Sequence, residues 1–192
     1  MSYTIKRHHL GVQWLSQSIE ICGDKRRLDE EQRRQWRLRT CGVASALMCI
    51  RHLGRGQGVT VSDMLIEGLS IGAYRDGVGW IHSGLANLII RRGLWAMPIG
   101  MPRETEAIRH YMGKTGAPFI ASVTRGLPTD GRKGGHLVVV DGHDFFQKKQ
   151  QVHVCDPDPD MGADTEWIDW ERFKSSFSGR AILCSKKGQS LG

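Results

Sequence analysis

The chain has 192 residues, 40% of them hydrophobic and 24% charged. That composition suits one globular domain with a core of its own. The net charge is +7 and the pI about 9.4. This charge forms no continuous tract, and no zinc-finger, RNA-binding or helix-turn-helix pattern accompanies it. Nucleic acid is therefore not the expected partner. Five cysteines (Cys22, Cys41, Cys49, Cys155 and Cys184) make an odd number without C-x-x-C spacing, so reduced thiols are expected. No apolar signal core opens the sequence, and no apolar run reaches the ~20 residues of a membrane span. A protein made in the cytoplasm is expected, with export by a route that needs no cleavable signal still open.

Residues 1–34 are polar and basic. Between Lys25 and Arg39, arginines alternate with Asp29, Glu30 and Glu31, the pattern of a solvated helix face. From Cys41 the pattern changes. Val43, Ala44, Leu47, Met48, Ile50 and Leu53 form an apolar stripe at helical spacing, with Thr40 as candidate cap and Gly54 as stop. A second helix is predicted over Thr60–Leu69, capped by Ser62, then a loop over Gly72–Gly79. A third helix is predicted over Trp80–Arg92, a short strand over Leu94–Ile99 and a fourth helix over Glu104–Met112. The period then shifts. Pro118–Val123, His136–Val140, Gln151–Cys155 and Ala181–Cys184 read as strands, with 144–150 as the turn of a hairpin. Helices first and antiparallel strands afterwards indicate an α+β layered domain.

Three features carry chemistry. Cys41 opens an apolar helix, where first-turn amides and the helix dipole stabilise a thiolate, the attacking species in acyl transfer. Gly42 beside it keeps the approach to the sulfur open. The alternative reading of Cys41 is a small buried core residue. Second, His136 stands at the start of a buried strand behind Gly134 and Gly135, a good placement for a general base. His143 and His153 are the weaker alternatives among eight histidines. Third, Asp156 ends a strand predicted to pair with the His136 strand, which can bring its carboxylate to the imidazole to orient the ring. The alternative is a turn-forming Asp-Pro.

Together, and in this order, these elements resemble the papain-like C39 peptidases. That group includes the double-glycine leader peptidase domains of bacteriocin exporters. The likeness runs over roughly residues 35–184. It rests on Gln35, Cys41-Gly42-Val43-Ala44-Ser45-Ala46-Leu47-Met48, Asp76-Gly77-Val78-Gly79-Trp80, Gly116-Ala117-Pro118-Phe119-Ile120, Gly134-Gly135-His136 and its strand, and Val154-Cys155-Asp156-Pro157. It implies a papain-like fold, with the nucleophile helix packed on a C-terminal antiparallel sheet. It also implies a Cys41–His136–Asp156 triad and a glutamine beside the nucleophile that helps hold the oxyanion. Gln35, six residues before Cys41, takes that place, with Gln32 ranked below it.

The resemblance implies a cysteine peptidase acting on protein or peptide substrates, with glycine near the bond and no metal or cofactor. Residues 1–34 fall outside it as an N-terminal extension, leaving 35–192 as the peptidase domain. Nothing resembles an ABC transporter, so an exporter role does not carry over. Arg37 and Arg39 stand where the family often has acidic residues, which bears on substrate preference. Competing readings are an acyltransferase of transpeptidase or transglutaminase type and a peptide-binding module without catalysis. The biological setting stays open between a housekeeping or maturation protease and a toxin-like effector with an inhibitory partner, with the effector slightly preferred.

Overall fold

The computed structural model describes residues 7–22, 27–146, 149–158, 160 and 165–188. Residues 147 and 148 of the predicted hairpin turn lie outside the described residues, as does the side chain of Cys22. In chain order the elements are β1 (His8–His9), α1 (Ile19–Cys22), α2 (Glu30–Trp36), α3 (Cys41–His52), α4 (Val61–Ser70), β2 (Tyr74–Arg75), β3 (Gly79–Trp80), α5 (His82–Ile90), β4 (Leu94–Gly100) and α6 (Thr105–Thr115). They continue with β5 (Phe119–Val123), β6 (His136–Asp144), β7 (Gln151–Cys155), β8 (Thr165–Asp169), α7 (Trp170–Ser176) and β9 (Arg180–Lys186).

The apolar stripe after Thr40 becomes α3, and every residue from Cys41 to Ile50 is buried. A helix apolar all round is an internal pillar rather than a surface helix. Thr40 precedes it but makes no side-chain cap. Its hydroxyl instead donates to the carbonyl of Gln17. The chain turns at Gly54 in the left-handed region, at φ 80°. The cap of α4 is Thr60, not Ser62. Thr60 and Asp63 satisfy one another's backbone N–H groups in a capping box, and Ser62 is buried within the first turn.

The predicted third helix begins two residues later than expected. Trp80 is held in an antiparallel pair with Tyr74, closing a β2–β3 hairpin where a loop was expected. Its indole wedges between α3 and α4. A Cβ at Gly42 would lie 2.6 Å from the Trp80 ring, and one at Gly68 would lie 2.8 Å away. The glycine after the nucleophile is therefore needed for packing, a role the sequence reading did not give it. Trp80 Nε1 also donates to the Arg39 carbonyl at 2.6 Å, tying the hairpin to the segment that enters α3.

The sheet runs β4-β9-β5-β6-β7-β8, with β1 added against β6. All these pairs are antiparallel. α3 lies against β5 and β6, and Ser45 Oγ donates to the Leu137 carbonyl at 3.0 Å. The architecture is α+β, helices packed on a largely C-terminal antiparallel sheet, as the order of elements predicts. Residues on both sides of position 34 pack together. β1 pairs with β6, and Val12, Leu15 and Ile19 are buried in the common core. The segment looked like an extension because its strand is two residues long and its apolar positions follow no period. Among the described residues, no helix is long and apolar enough to cross a membrane.

Candidate active site

Cys41 is the first residue of α3 and His136 the first residue of β6. The Ser45–Leu137 hydrogen bond, one turn into the helix and one residue into the strand, sets the two elements in register. Gly134 and Gly135, at φ 83° and 93°, lead the chain into the strand in a backbone conformation that side chains disfavour. The α3 ladder begins with Ala44 N–H to Thr40 O. The N–H groups of Cys41, Gly42 and Val43 thus have no partner within the helix, and the positive end of its dipole faces the sulfur.

Asp156 stands one residue beyond the Val139–Cys155 pair of β6 and β7, diagonal to His136 on the same face. A register shift between Val140 and Gly142 takes up part of the long connection. His136 Nε2 and Asp156 Oδ1 are 2.6 Å apart, both side chains buried. The Cys41 side chain interacts with the same ring, and with Nε2 on Asp156 it is Nδ1 that remains for the sulfur. Burial opposes charge on His136, but its hydrogen bonds to Asp156 and Cys41 outweigh that and raise its pKa to about 10. The imidazolium is therefore the favoured form at neutral pH. Asp156 is itself held: Oδ1 accepts the Asp158 N–H at 2.9 Å, and its carbonyl accepts Trp14 Nε1 at 2.6 Å. Asp158 is anchored in turn by an ion pair with Arg125.

The structure thus brings Cys41, His136 and Asp156 into one chain of contacts, but it does not bring Gln35 to them. Gln35 is exposed on α2. Gln32 is spent on the Asp29 capping box of the same helix. A different glutamine lies beside the site. Gln17 N donates to the Pro157 carbonyl at 2.6 Å, while Gln17 O accepts the hydroxyl of Thr40. Its backbone therefore bridges the residue after Asp156 and the residue before Cys41. Its side chain is buried, and Oε1 has no hydrogen-bond partner among the described residues. Along the chain α1 and α2 are interposed between Gln17 and Cys41. In the sequence, Gln17 carries no signal beyond being a glutamine ahead of the cysteine.

Cys41 and His136 open onto a cleft of about 1060 Å3. One wall is the β2–β3 hairpin and the entry to α3, with Tyr74, Val78, Trp80 and Arg39. The other is the sheet end, with Gly135, Lys133 and Arg180 among its residues. The weaker histidine alternatives lie elsewhere. His153 contacts Asp141, and His143 stacks on Phe145 at 5.0 Å between ring centres. Burial, with help from His8 and Arg109, pushes the His143 pKa down to about 4. Cys49, Cys155 and Cys184 are buried free thiols. Burial raises the pKa of both Cys49 and Cys155, the opposite of what a nucleophile needs.

No family model matches the sequence, and no curated protein matches it. Solved structures do. The peptidase domain of Streptococcus ComA, a bifunctional ABC transporter involved in quorum sensing, superposes with a TM-score of 0.56 at 21% identity. It covers 78% of this chain and 93% of its own. A double-glycine motif protease from an AMS/PCAT transporter, solved with its leader peptide, gives a TM-score of 0.53 at 20% identity, over 77% of this chain and 84% of its own. The helices on an antiparallel sheet, with a cysteine opening the central helix, therefore form the fold of the double-glycine peptidase domains.

Proposed function

We propose that the protein is a cysteine peptidase. The observation that carries this reading is the buried contact chain from Cys41 through His136 to Asp156 at the floor of a cleft, in a fold shared with peptidases. The His136 imidazolium pairs with the Cys41 thiolate, and Asp156 holds the ring by Nε2. The thiolate attacks the scissile carbonyl. His136 gives its proton to the leaving amine, then takes one from the water that releases the acyl group. The Cys41 N–H and the Gln17 amide hold the oxyanion, Gln17 replacing the expected Gln35. The test is incubation of the wild-type chain with a peptide library containing Gly-Gly sites, and sequencing of the new termini. No cleavage of any member overturns the reading.

Gln17→Ala is expected to lower kcat by about 10²–10³-fold with KM little changed, the usual effect of losing one oxyanion donor. Gln35→Ala is expected to leave both constants within about twofold of wild type, because an exposed side chain away from the cleft contributes little. Steady-state kinetics of the two variants separates the assignments.

The substrate is a peptide segment carrying acidic side chains, with glycine at the bond as in the proteases that share the fold. Arg39 on the helical wall and Lys133 and Arg180 on the sheet wall line the cleft, and no carboxylate lines it. Asp76 lies nearby, at the tip of the β2–β3 hairpin. Neither the Arg39 nor the Arg180 guanidinium has an ion-pair partner among the described residues. A peptide with Asp or Glu on both sides of Gly-Gly is expected to bind Cys41→Ala about tenfold more tightly than its Asn/Gln counterpart. The difference should shrink as salt rises. Equal affinities by fluorescence anisotropy would remove the acidic preference while leaving the peptidase reading intact.

A further inference from the structure

We propose that His9, Asp141 and His153 form a binding site for a divalent cation of the zinc class, separate from the candidate active site. The three residues come from β1, β6 and β7, and their ligand atoms all lie within 4.8 Å of one another. Asp141 is fully buried. A carboxylate in that position needs a positive or hydrogen-bonding shell. Its shell among the described residues consists of the Val12 N–H at 2.9 Å, His153 Nδ1 at 2.5 Å, His9 Nε2 at 3.4 Å and the Cys155 thiol. No lysine or arginine supplies the compensating charge there.

The backbone is shaped to let the imidazoles converge. Gly142 follows Asp141, and a Cβ there would lie 2.9 Å from His153 Cβ and 3.3 Å from His9 Cδ2. Without it the two rings approach to 4.1 Å between centres. The indole of Trp167 covers both, at 5.9 Å from His9 and 5.1 Å from His153. Arg7 lies over that indole, with its charge answered by Asp144 at 2.8 Å. The His9 side chain is 41% exposed and gives an ion a way in.

Two imidazoles and one carboxylate match the ligand preference of Zn2+, with water in the fourth position. Mg2+ and Ca2+ favour all-oxygen shells. Tetrahedral bonds of about 2.0–2.1 Å place ligand atoms roughly 3.3 Å apart. The three ligand atoms, all within 4.8 Å of one another, must draw in toward that spacing, with His9 Nε2 now 3.4 Å from Asp141 Oδ2, and the His153 Nδ1–Asp141 Oδ1 pair must open by less than about 1 Å. The ion takes the place of the hydrogen between His153 Nδ1 and Asp141 Oδ1. A neutral His153 shifts its one ring proton from Nδ1 to Nε2, and a cationic one, protonated on both nitrogens, releases the Nδ1 proton to solvent. The Val12 N–H holds the other carboxylate oxygen, as outer-shell donors do in metal sites. Such an ion would staple β1 to the sheet. It would thereby brace the segment that continues to Trp14 and Gln17, which contact Asp156 and the residues flanking the candidate triad.

The test uses the untagged Cys41→Ala chain, so that Zn2+ has no thiolate–imidazole pair to bind at the candidate active site. After chelator treatment and dialysis, calorimetric titration is expected to show one Zn2+ per chain, and saturating Zn2+ to raise Tm by several degrees. Saturating Mg2+ should leave Tm unchanged. Adding His9→Ala is expected to weaken Zn2+ binding by about tenfold or more. Because His9 is partly exposed, that variant should fold. Co2+ in place of Zn2+ should give the visible absorption of a tetrahedral centre. No stoichiometric Zn2+ binding, or an affinity unchanged by His9→Ala, would overturn the proposal.

Discussion

Cys41→Ala is expected to reduce peptide cleavage by about 10³–10⁴-fold or more, to the limit of detection. The loss follows from position as much as from chemistry. The sulfur sits at the first turn of α3 and against the His136 ring, and none of the other described cysteines can substitute. Cys49 and Cys184 pack against each other in the core, and Cys155 is buried beside Asp141. Alanine is a strong helix former, so α3 and the thermal midpoint should change little. An iodoacetamide-type probe at short exposure should label Cys41 and leave the buried thiols unmodified, as read by peptide mass spectrometry. Undiminished cleavage by Cys41→Ala would sink the nucleophile assignment. Equal labelling of all the cysteines would argue against an activated thiol.

The second large effect is at Asp156, where asparagine and alanine should differ. In Asp156→Asn the amide oxygen can still accept from His136 Nε2 and from the Asp158 N–H, so the ring keeps its orientation and loses only the facing charge. In Asp156→Ala both bonds go, a buried imidazole nitrogen is orphaned, and kcat is expected to fall by about 10²–10⁴-fold. The asparagine variant is expected to show its change mainly in pH dependence. Asp156 and Cys41 raise the His136 pKa to about 10 against burial, so the alkaline limb of kcat/KM lies near that value in wild type. Removing the Asp156 charge should move the limb to lower pH.

The linkage to stability has a definite sign. A histidine whose folded pKa is raised binds its proton more tightly in the folded state. Its contribution is complete below about pH 6.5, the unfolded value, and is lost as pH rises toward about 10. Wild-type stability should therefore decline across that interval more steeply than that of Asp156→Asn. Parallel denaturation curves for the two chains between pH 6 and 10 would remove the inferred charge pairing.

Much of the site was legible because its signals are local. A cysteine opening an apolar run, a histidine behind two glycines and an aspartate closing a strand each mark an element end, and such ends are where a fold displays reactive groups. Cys41, His136 and Asp156, which the structure brings into one chain of contacts, are each marked that way. The glutamine is not, because an offset counted along the chain assumes that nothing is inserted. Here α1 and α2 lead out and back between Gln17 and Thr40, so Gln17, which bonds the residue before the cysteine, is 24 positions from Cys41. Gly42 was placed correctly but explained incompletely, since its neighbour Trp80 comes from a hairpin that only the folded chain brings to α3.

The sequence by itself determined the elements whose periodicity is strong: α3, the run of helices after it and the later strands, hence the α+β class. It also determined the order of cysteine, histidine and aspartate, because helix and strand ends are written in adjacent residues. Only the tertiary structure ties the Gln17 backbone to Thr40 and Pro157, the residues flanking Cys41 and Asp156. It alone showed that the N-terminal segment belongs to the core, and it alone brought His9, Asp141 and His153 together. Those are contacts between residues far apart in sequence. Each depends on register, on a two-residue strand or on a missing Cβ, and none of these leaves a periodic trace along the chain.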